Sequence, residues 1–319
     1  MSHSSKGPTP EGVLAVWKPA GWTSHDVVAK VRRIIGVKRI GHTGTLDPAV
    51  TGVLPICVGR ATRMVEYLQE MPKTYEATLR LGVATDTEDL TGRVVEERDA
   101  SHLDASAISE AVLSFVGDIE QVPPMVSAVK VDGKRLYELA REGVTIERKA
   151  RPVTIHDIRI REIEAPLPQP EVRFVVRCSK GTYIRTLCAD IGRKLGVPAA
   201  MAELRRVESA GLGESDSLTL EAIAELQREG SLADRFIPAD TLLSATPRTV
   251  ASGAAPLHAL QGKPVAFRDL EPQPDRPGLW RLYREDGVFL GLFEAERERG
   301  VLRAVKVFHP DDGREREDR

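Results

Sequence analysis

Residues 41–48 read Gly-His-Thr-Gly-Thr-Leu-Asp-Pro, which places two glycines, two threonines, a histidine and a single carboxylate in a loop between apolar runs. Glycines at 41, 44 and 52 permit backbone conformations closed to other residues, and Pro48 biases Asp47 toward an extended conformation that aims its carboxylate in one direction. Two uses are open to such a group. An aspartate before proline can cap its own turn through a hydrogen bond to the backbone, or it can be a functional acid. The charge context weighs toward the second, since residues 14–63 carry eight Lys or Arg against two acids, Asp26 and Asp47.

A second candidate is Arg185. Ile184, Leu187, Cys188, Ile191 and Leu195 keep helical spacing with Gly196 as the stop, so Arg185 falls in the first helical turn and Tyr183 at its entrance. A cation there opposes the helix dipole by about 0.3–1 kcal/mol if unpaired. The mismatch invites an anionic partner. The plainer alternative is a surface ion pair worth about 0–1 kcal/mol.

The elements that must hold these groups follow from periodicity. Residues 13–17 and 53–58 read as strands; apolar residues at 27, 28, 31, 34 and 35 predict a helix capped by Thr23 or Ser24; residues 61–68 predict a second short helix. The alternation over 73–81 puts Tyr75, Ala77, Leu79 and Leu81 on one face, so Tyr75 projects from the core-facing surface near a cleft, or is simply a core tyrosine. Residues 85–91 form an acidic turn, 93–97 a strand, and 105–116 a helix with Ile108, Val112, Phe115 and Val116 inward. Residues 130–161 hold nine bases against five acids, with an Asp132-Gly133 turn and a short helix over 136–141. Strands over 153–163 and 171–178 flank a proline-rich turn at 166–170, and a helix over 218–227 closes this part. Residues 247–255 read as a linker, after which short strands over 262–267, 280–283, 288–293 and 302–308 predict a small β-barrel.

Composition bounds the class. With 319 residues, 41% hydrophobic and 29% charged, the chain is long enough for one large domain and a small one. No run approaches a membrane span, and residues 1–10 show neither a secretory signal nor a transit peptide, so a cytoplasmic location is expected. Cys57, Cys178 and Cys188 lie in apolar patterns without metal-ligand spacing and are expected as buried, reduced thiols, with no metal. The formal net charge of −2 conceals segregation: residues 64–120 balance to −9, whereas residues 14–63 sum to +6 and 171–206 to +5. The basic segments carry the candidate residues, as in a protein that binds a phosphate backbone on one face.

The loop at 41–48 resembles the active-site signature of the TruB family of pseudouridine synthases, and further blocks resemble that family in order. These are Lys18-Pro19-Ala20-Gly21-Trp22-Thr23-Ser24, Lys73-Thr74-Tyr75-Glu76-Ala77, Pro123-Pro124 with Ser127-Ala128 and Lys130, Tyr137 with Ala140-Arg141, Lys180-Gly181-Thr182-Tyr183-Ile184-Arg185, and Ala202-Glu203-Leu204-Arg205-Arg206. The match spans about residues 13–211; Trp17 departs from it, standing where bacterial members usually carry aspartate.

The resemblance implies an α+β fold: a catalytic domain with a mixed, mainly antiparallel sheet flanked by helices, a thumb insertion and a small C-terminal PUA-like β-barrel. The corresponding divisions are a disordered tail at 1–11, a catalytic domain at 12–245 with the thumb at about 124–152, a PUA-like RNA-binding domain at 246–310 and a second tail at 311–319. It implies isomerisation of uridine 55 in the tRNA TΨC loop without cofactor, by a monomer whose only partner is the tRNA T-arm. Asp47 is then the covalent catalyst and Arg185 its ion-pair partner. Tyr75 stacks on the uracil and assists proton removal, Tyr183 and Leu204 line the pocket, His42 contacts displaced nucleotides, and Lys18 supports the site floor or touches phosphate. Two rival readings are a non-catalytic tRNA-folding protein and a subunit of an RNA-guided synthase.

Overall fold

The computed structural model describes residues 10–127, 130–131, 134–136, 144 and 146–309. Tyr137, Ala140, Arg141, the 132–133 turn, most of the 136–141 helix, residues 1–9 of the first tail and all of the second lie outside the described residues, while Glu11 of the first tail pairs with Arg60 at 2.7 Å.

The first strand, β1 (Gly12–Lys18), extends one residue past each end of the expected run, so that Lys18 is its last residue. Thr23 caps α1 (Ser24–Ile35) reciprocally: its hydroxyl accepts the Asp26 N–H while the Asp26 carboxylate accepts the Thr23 N–H, and Gly36 ends the helix at φ 72°. β2 (Ile40–His42) and β3 (Thr51–Val58) bracket the candidate loop. The expected second helix is divided into a 3-10 turn at Gly59–Met64 and α2 (Val65–Glu70).

β4 (Lys73–Leu81) is followed by the hairpin of β5 (Val83–Thr85) and β6 (Val94–Glu97). α3 (Ala105–Leu113) stops before the expected Val116, because the Ser114 hydroxyl turns back onto the Ala111 carbonyl; Val116 is exposed, not inward. β7 (Gly117–Gln121), the two-residue strands β8 (Lys130–Val131) and β9 (Lys134–Arg135), β10 (Arg151–Glu164) and β11 (Glu171–Cys178) follow. α4 (Ile184–Leu195) begins after Tyr183 and ends at Gly196, as its spacing predicts. The 199–209 stretch becomes β12 (Ala199–Ser209), and α5 (Leu220–Glu229) follows a Thr219 cap.

The main sheet runs β1-β3-β12-β4-β11-β10-β7, with β2 added beside β3. It is mixed and mainly antiparallel: the β12–β3 contact is parallel, pairing Arg205 with Thr51 and Arg206 with Gly52. That junction requires a glycine. A side chain on Gly52 would place its Cβ 2.2 Å from the Arg206 carbonyl oxygen, at a φ of 117° that L residues rarely adopt. One core packs α3 and α4 on β4, β10 and β11 around Leu79, Phe174 and Val176, and a second packs α1 and α5 on β1 and β3.

The C-terminal six-stranded sheet is nearly closed and barrel-like, in keeping with a PUA-like module. The expected linker is not a linker. Arg248–Ala251 is a strand pairing in parallel with Gly278–Arg284, because Thr249 and Ala251 are fully buried there, and residues from Ala255 begin a short helix, Ala255–Leu260. The expected 262–267 strand shrinks to Val265–Ala266. Leu292 and Phe308 of this sheet join Val13, Met64 and Leu68 in one apolar cluster, so the two parts share a core.

Among the described residues no helix is long and apolar enough to cross a membrane. Cys57, Cys178 and Cys188 are free and buried, and burial pushes their thiols up, Cys57 to about 12 and Cys178 to about 11.

Candidate active site

The loop joining β2 to β3 is held from several sides. The Leu46 N–H donates to Ser24 Oγ at 2.9 Å, and the Ser24 hydroxyl donates back to the Leu46 carbonyl at 3.3 Å. At one end Arg206 Nη2 donates to the Gly44 carbonyl (3.1 Å), and at the other Lys18 Nζ donates to the Pro48 carbonyl (3.1 Å). Both cations are buried, so each satisfies its donors with carbonyl dipoles in place of water. Lys18 also reaches the Pro19 carbonyl at 2.9 Å; burial pulls its amine down to about 8, against the opposing pull of Asp47.

Asp47 projects from this fixed frame. Its side chain is 46% exposed and meets Arg185, whose side chain is only 5% exposed, with Nη2 3.1 Å from Oδ2. Arg185 is therefore not a surface pair. Nη1 donates to the Thr87 carbonyl (3.0 Å), Nη2 to the Val126 carbonyl (2.7 Å), and Nε lies 3.9 Å from the Asp89 carboxylate. The first-turn position is explained by these acceptors, which outweigh an opposing dipole of about 1 kcal/mol at most.

The acidic turn at 85–91 supplies Thr87 and Asp89 because it docks on β12: the Leu90 N–H donates to the Met201 carbonyl (3.1 Å) and the Met201 N–H to the Glu88 carbonyl (3.0 Å). Thr87 and Thr91 hydroxyls donate to Asp89 Oδ1, so that carboxylate organises the turn as it faces Arg185. Behind Arg185, Gln121 grips the helix entrance: its side-chain carbonyl accepts the Tyr183 N–H (2.9 Å) and its amide donates to the Tyr183 carbonyl (3.1 Å).

Tyr75 lies on β4, 8% exposed, packed in the core with Leu46, Val50 and Val176, with Leu204 against the same cluster. Burial raises its phenol, while the Arg206 guanidinium beside it opposes the shift; burial likewise raises the Tyr183 hydroxyl. His42 closes β2. Its Nδ1 accepts the Gly44 N–H at 3.2 Å, and its ring meets His25 edge-on at 5.5 Å between centroids. Burial, reinforced by His25 and Arg206, pulls the imidazole down to about 4, so it is neutral near pH 7.

A cleft of about 620 Å³ opens beside Asp47, walled by Leu204, Asp89, Glu76, Arg205 and Met201. Of the residues singled out from the sequence, the structure brings Asp47, Arg185 and Leu204 together there or at its edge. Tyr75, Tyr183, His42 and Lys18 are not among the residues that wall the cleft. Asp89 and Gln121 carry no mark in the sequence, whereas Lys73 and Arg206 lie within blocks that resemble the family's. Lys73 Nζ is spent on the Gln69 and Met71 carbonyls (2.7 and 2.6 Å), and burial pulls it down to about 8.

An exposed carboxylate on a rigid loop, gripped from beneath by a buried guanidinium, can attack an electrophilic carbon placed in the cleft. The comparisons agree with that arrangement. Residues 32–184 match the model described as TruB family pseudouridylate synthase (N terminal domain), and residues 185–244 match tRNA pseudouridylate synthase B C-terminal domain. The tRNA pseudouridine synthase B of Symbiobacterium thermophilum is 51% identical over 81% of this chain and 84% of its own length; that of Bacillus subtilis is 42% identical over 93% and 97%. Among solved structures, a chain from the crystal structure of a Cbf5-Nop10-Gar1 complex superposes with a TM-score of 0.74 at 27% identity, covering 98% of this chain and 92% of that one. The chain belongs to the TruB family of pseudouridine synthases.

Proposed function

We propose that the chain isomerises uridine to pseudouridine in tRNA, at position 55 of the T-loop, with Asp47 as the covalent catalyst. The reaction breaks the C1′–N1 bond, turns the uracil and joins C1′ to C5; C5 loses a proton and N1 gains one, so no outside reactant is consumed. A stacked base cannot turn in place, so the nucleotide is flipped out, at an unstacking cost of a few kcal/mol. The carboxylate can attack the uracil ring or the ribose C1′, and both routes need it accessible and held at one angle.

The observation that carries this reading is the pairing of a half-exposed Asp47 with a buried Arg185 at 3.1 Å. Arg185 steers the carboxylate, Tyr75 stacks on the uracil and assists removal of the C5 proton, and Tyr183 and Leu204 complete the pocket. His42 contacts displaced loop nucleotides and Lys18 supports the loop from beneath. The catalytic part spans residues 12–245 and the RNA-binding module 246–310, acting as a cytoplasmic monomer on the T-arm. The names and 42–51% identities of the curated relatives support a stand-alone tRNA enzyme, against 27% for the chain of the Cbf5-Nop10-Gar1 complex.

The test is purified protein with unmodified tRNA transcript, pseudouridine quantified and its position mapped. Product at position 55 is expected. Tight tRNA binding without product would establish a binder, and affinity that does not fall with added salt would contradict phosphate contacts.

A further inference from the structure

Arg206 is wholly buried, 1% exposed, and among the described residues it makes no ion pair. Its known partners are backbone: Nε donates to the Val53 carbonyl (2.8 Å) and Nη2 to the Gly44 carbonyl (3.1 Å), which fastens β3 to the Asp47 loop. That fastening leaves donors over. On the other side of β12, Arg206 stands directly across from Tyr75 on β4, a cross-strand pair whose side chains share one face. The guanidinium and the phenol are thus buried neighbours across the two strands, and Nη1 lies against the Asp47 loop, 3.7 Å from where a Cβ on Gly44 would sit.

We infer that Arg206 is a positioning residue for the isomerisation: its guanidinium orients the Tyr75 hydroxyl for transfer of the C5 proton while the same plane fixes the loop that carries Asp47. The inference rests on the function proposed above and adds a residue to it. A fork with a fixed plane can hold a carbonyl and a phenol oxygen at set angles, whereas an ammonium on a flexible stem cannot. Burial holds the Tyr75 phenol protonated, and the cation beside it partly offsets that burial.

The test is a double-mutant cycle in single-turnover pseudouridine formation with Arg206→Lys, Tyr75→Phe and the pair together, tRNA affinity measured alongside. Arg206→Lys is expected to slow the reaction by about 10²-fold, with affinity within about threefold. In the Tyr75→Phe background the same change is expected to cost clearly less, because the hydroxyl is gone and only the loosening of the Asp47 loop remains. An equal loss in both backgrounds, or an unchanged rate, would overturn the inference. Should Arg206→Lys fail to fold, arginine-15N NMR of wild type and Tyr75→Phe decides: the buried guanidinium signal is expected to shift, and coincident spectra would overturn the contact. A wild-type protein that forms no pseudouridine would instead sink the proposed function, with the NMR result still readable.

Discussion

Arg185 Nη2 stands 3.1 Å from Asp47 Oδ2 while the same guanidinium donates to the carbonyls of Thr87 and Val126, so the arginine is fixed on three sides and the carboxylate on one. The acid is steered without being covered.

Replacing Arg185 by lysine keeps the charge and loses the fork. An ammonium cannot reach Asp47 and both carbonyls at once, so single-turnover pseudouridine formation should fall by about 10²–10³-fold with tRNA affinity little changed. A wild-type rate would mean that charge alone suffices.

Lys73 makes stability depend on pH. Its buried amine titrates at about 8 in the fold against 10.5 in the unfolded chain, so between those values the unfolded state holds a proton that the folded state lacks. Stability therefore rises with pH across that window, by on the order of 3 kcal/mol at full effect. Urea unfolding from pH 7.5 to 10.5 should show a flatter rise in Lys73→Met than in wild type; parallel curves would contradict the assignment.

His42 serves the loop through Nδ1, which accepts the Gly44 N–H. Asparagine places an acceptor at that position and alanine does not, so His42→Asn should melt close to wild type and His42→Ala lower, by about 1–3 kcal/mol of lost satisfaction. The imidazole titrates at about 4 when folded and 6.5 when unfolded, so acidification through that range destabilises wild type. His42→Asn should remove this component, and an unchanged acid limb would place it elsewhere.

Gly52→Ala tests the parallel junction of β12 with β3. The added Cβ would meet the Arg206 backbone, whose strand cannot yield without moving the loop; a loss of about 3 kcal/mol or more is expected in chemical denaturation. Wild-type stability would contradict so close an approach of the two strands.

What the sequence disclosed was local. The Thr23 cap, the Gly36 and Gly196 stops, the alternation of β4 and the Asp47 loop are written within a few residues of one another. What it concealed depends on partners far along the chain. Arg206 meets Val53 across 153 positions and Arg185 meets Thr87 across 98, and no spacing rule links those segments. The 248–251 strand read as a linker because its partner begins at Gly278 and its burial comes from the fold around it. Gln121 gave no signal at all, being one amide in a polar strand until the chain places it against Tyr183.

The central claim is that the Asp47 carboxylate performs covalent catalysis. Asn is isosteric with Asp and far less nucleophilic, so Asp47→Asn should fold and bind unmodified tRNA like wild type. Pseudouridine in that tRNA, measured after long incubation with excess variant protein, is predicted to stay at background; formation above background by the pure variant would contradict the account.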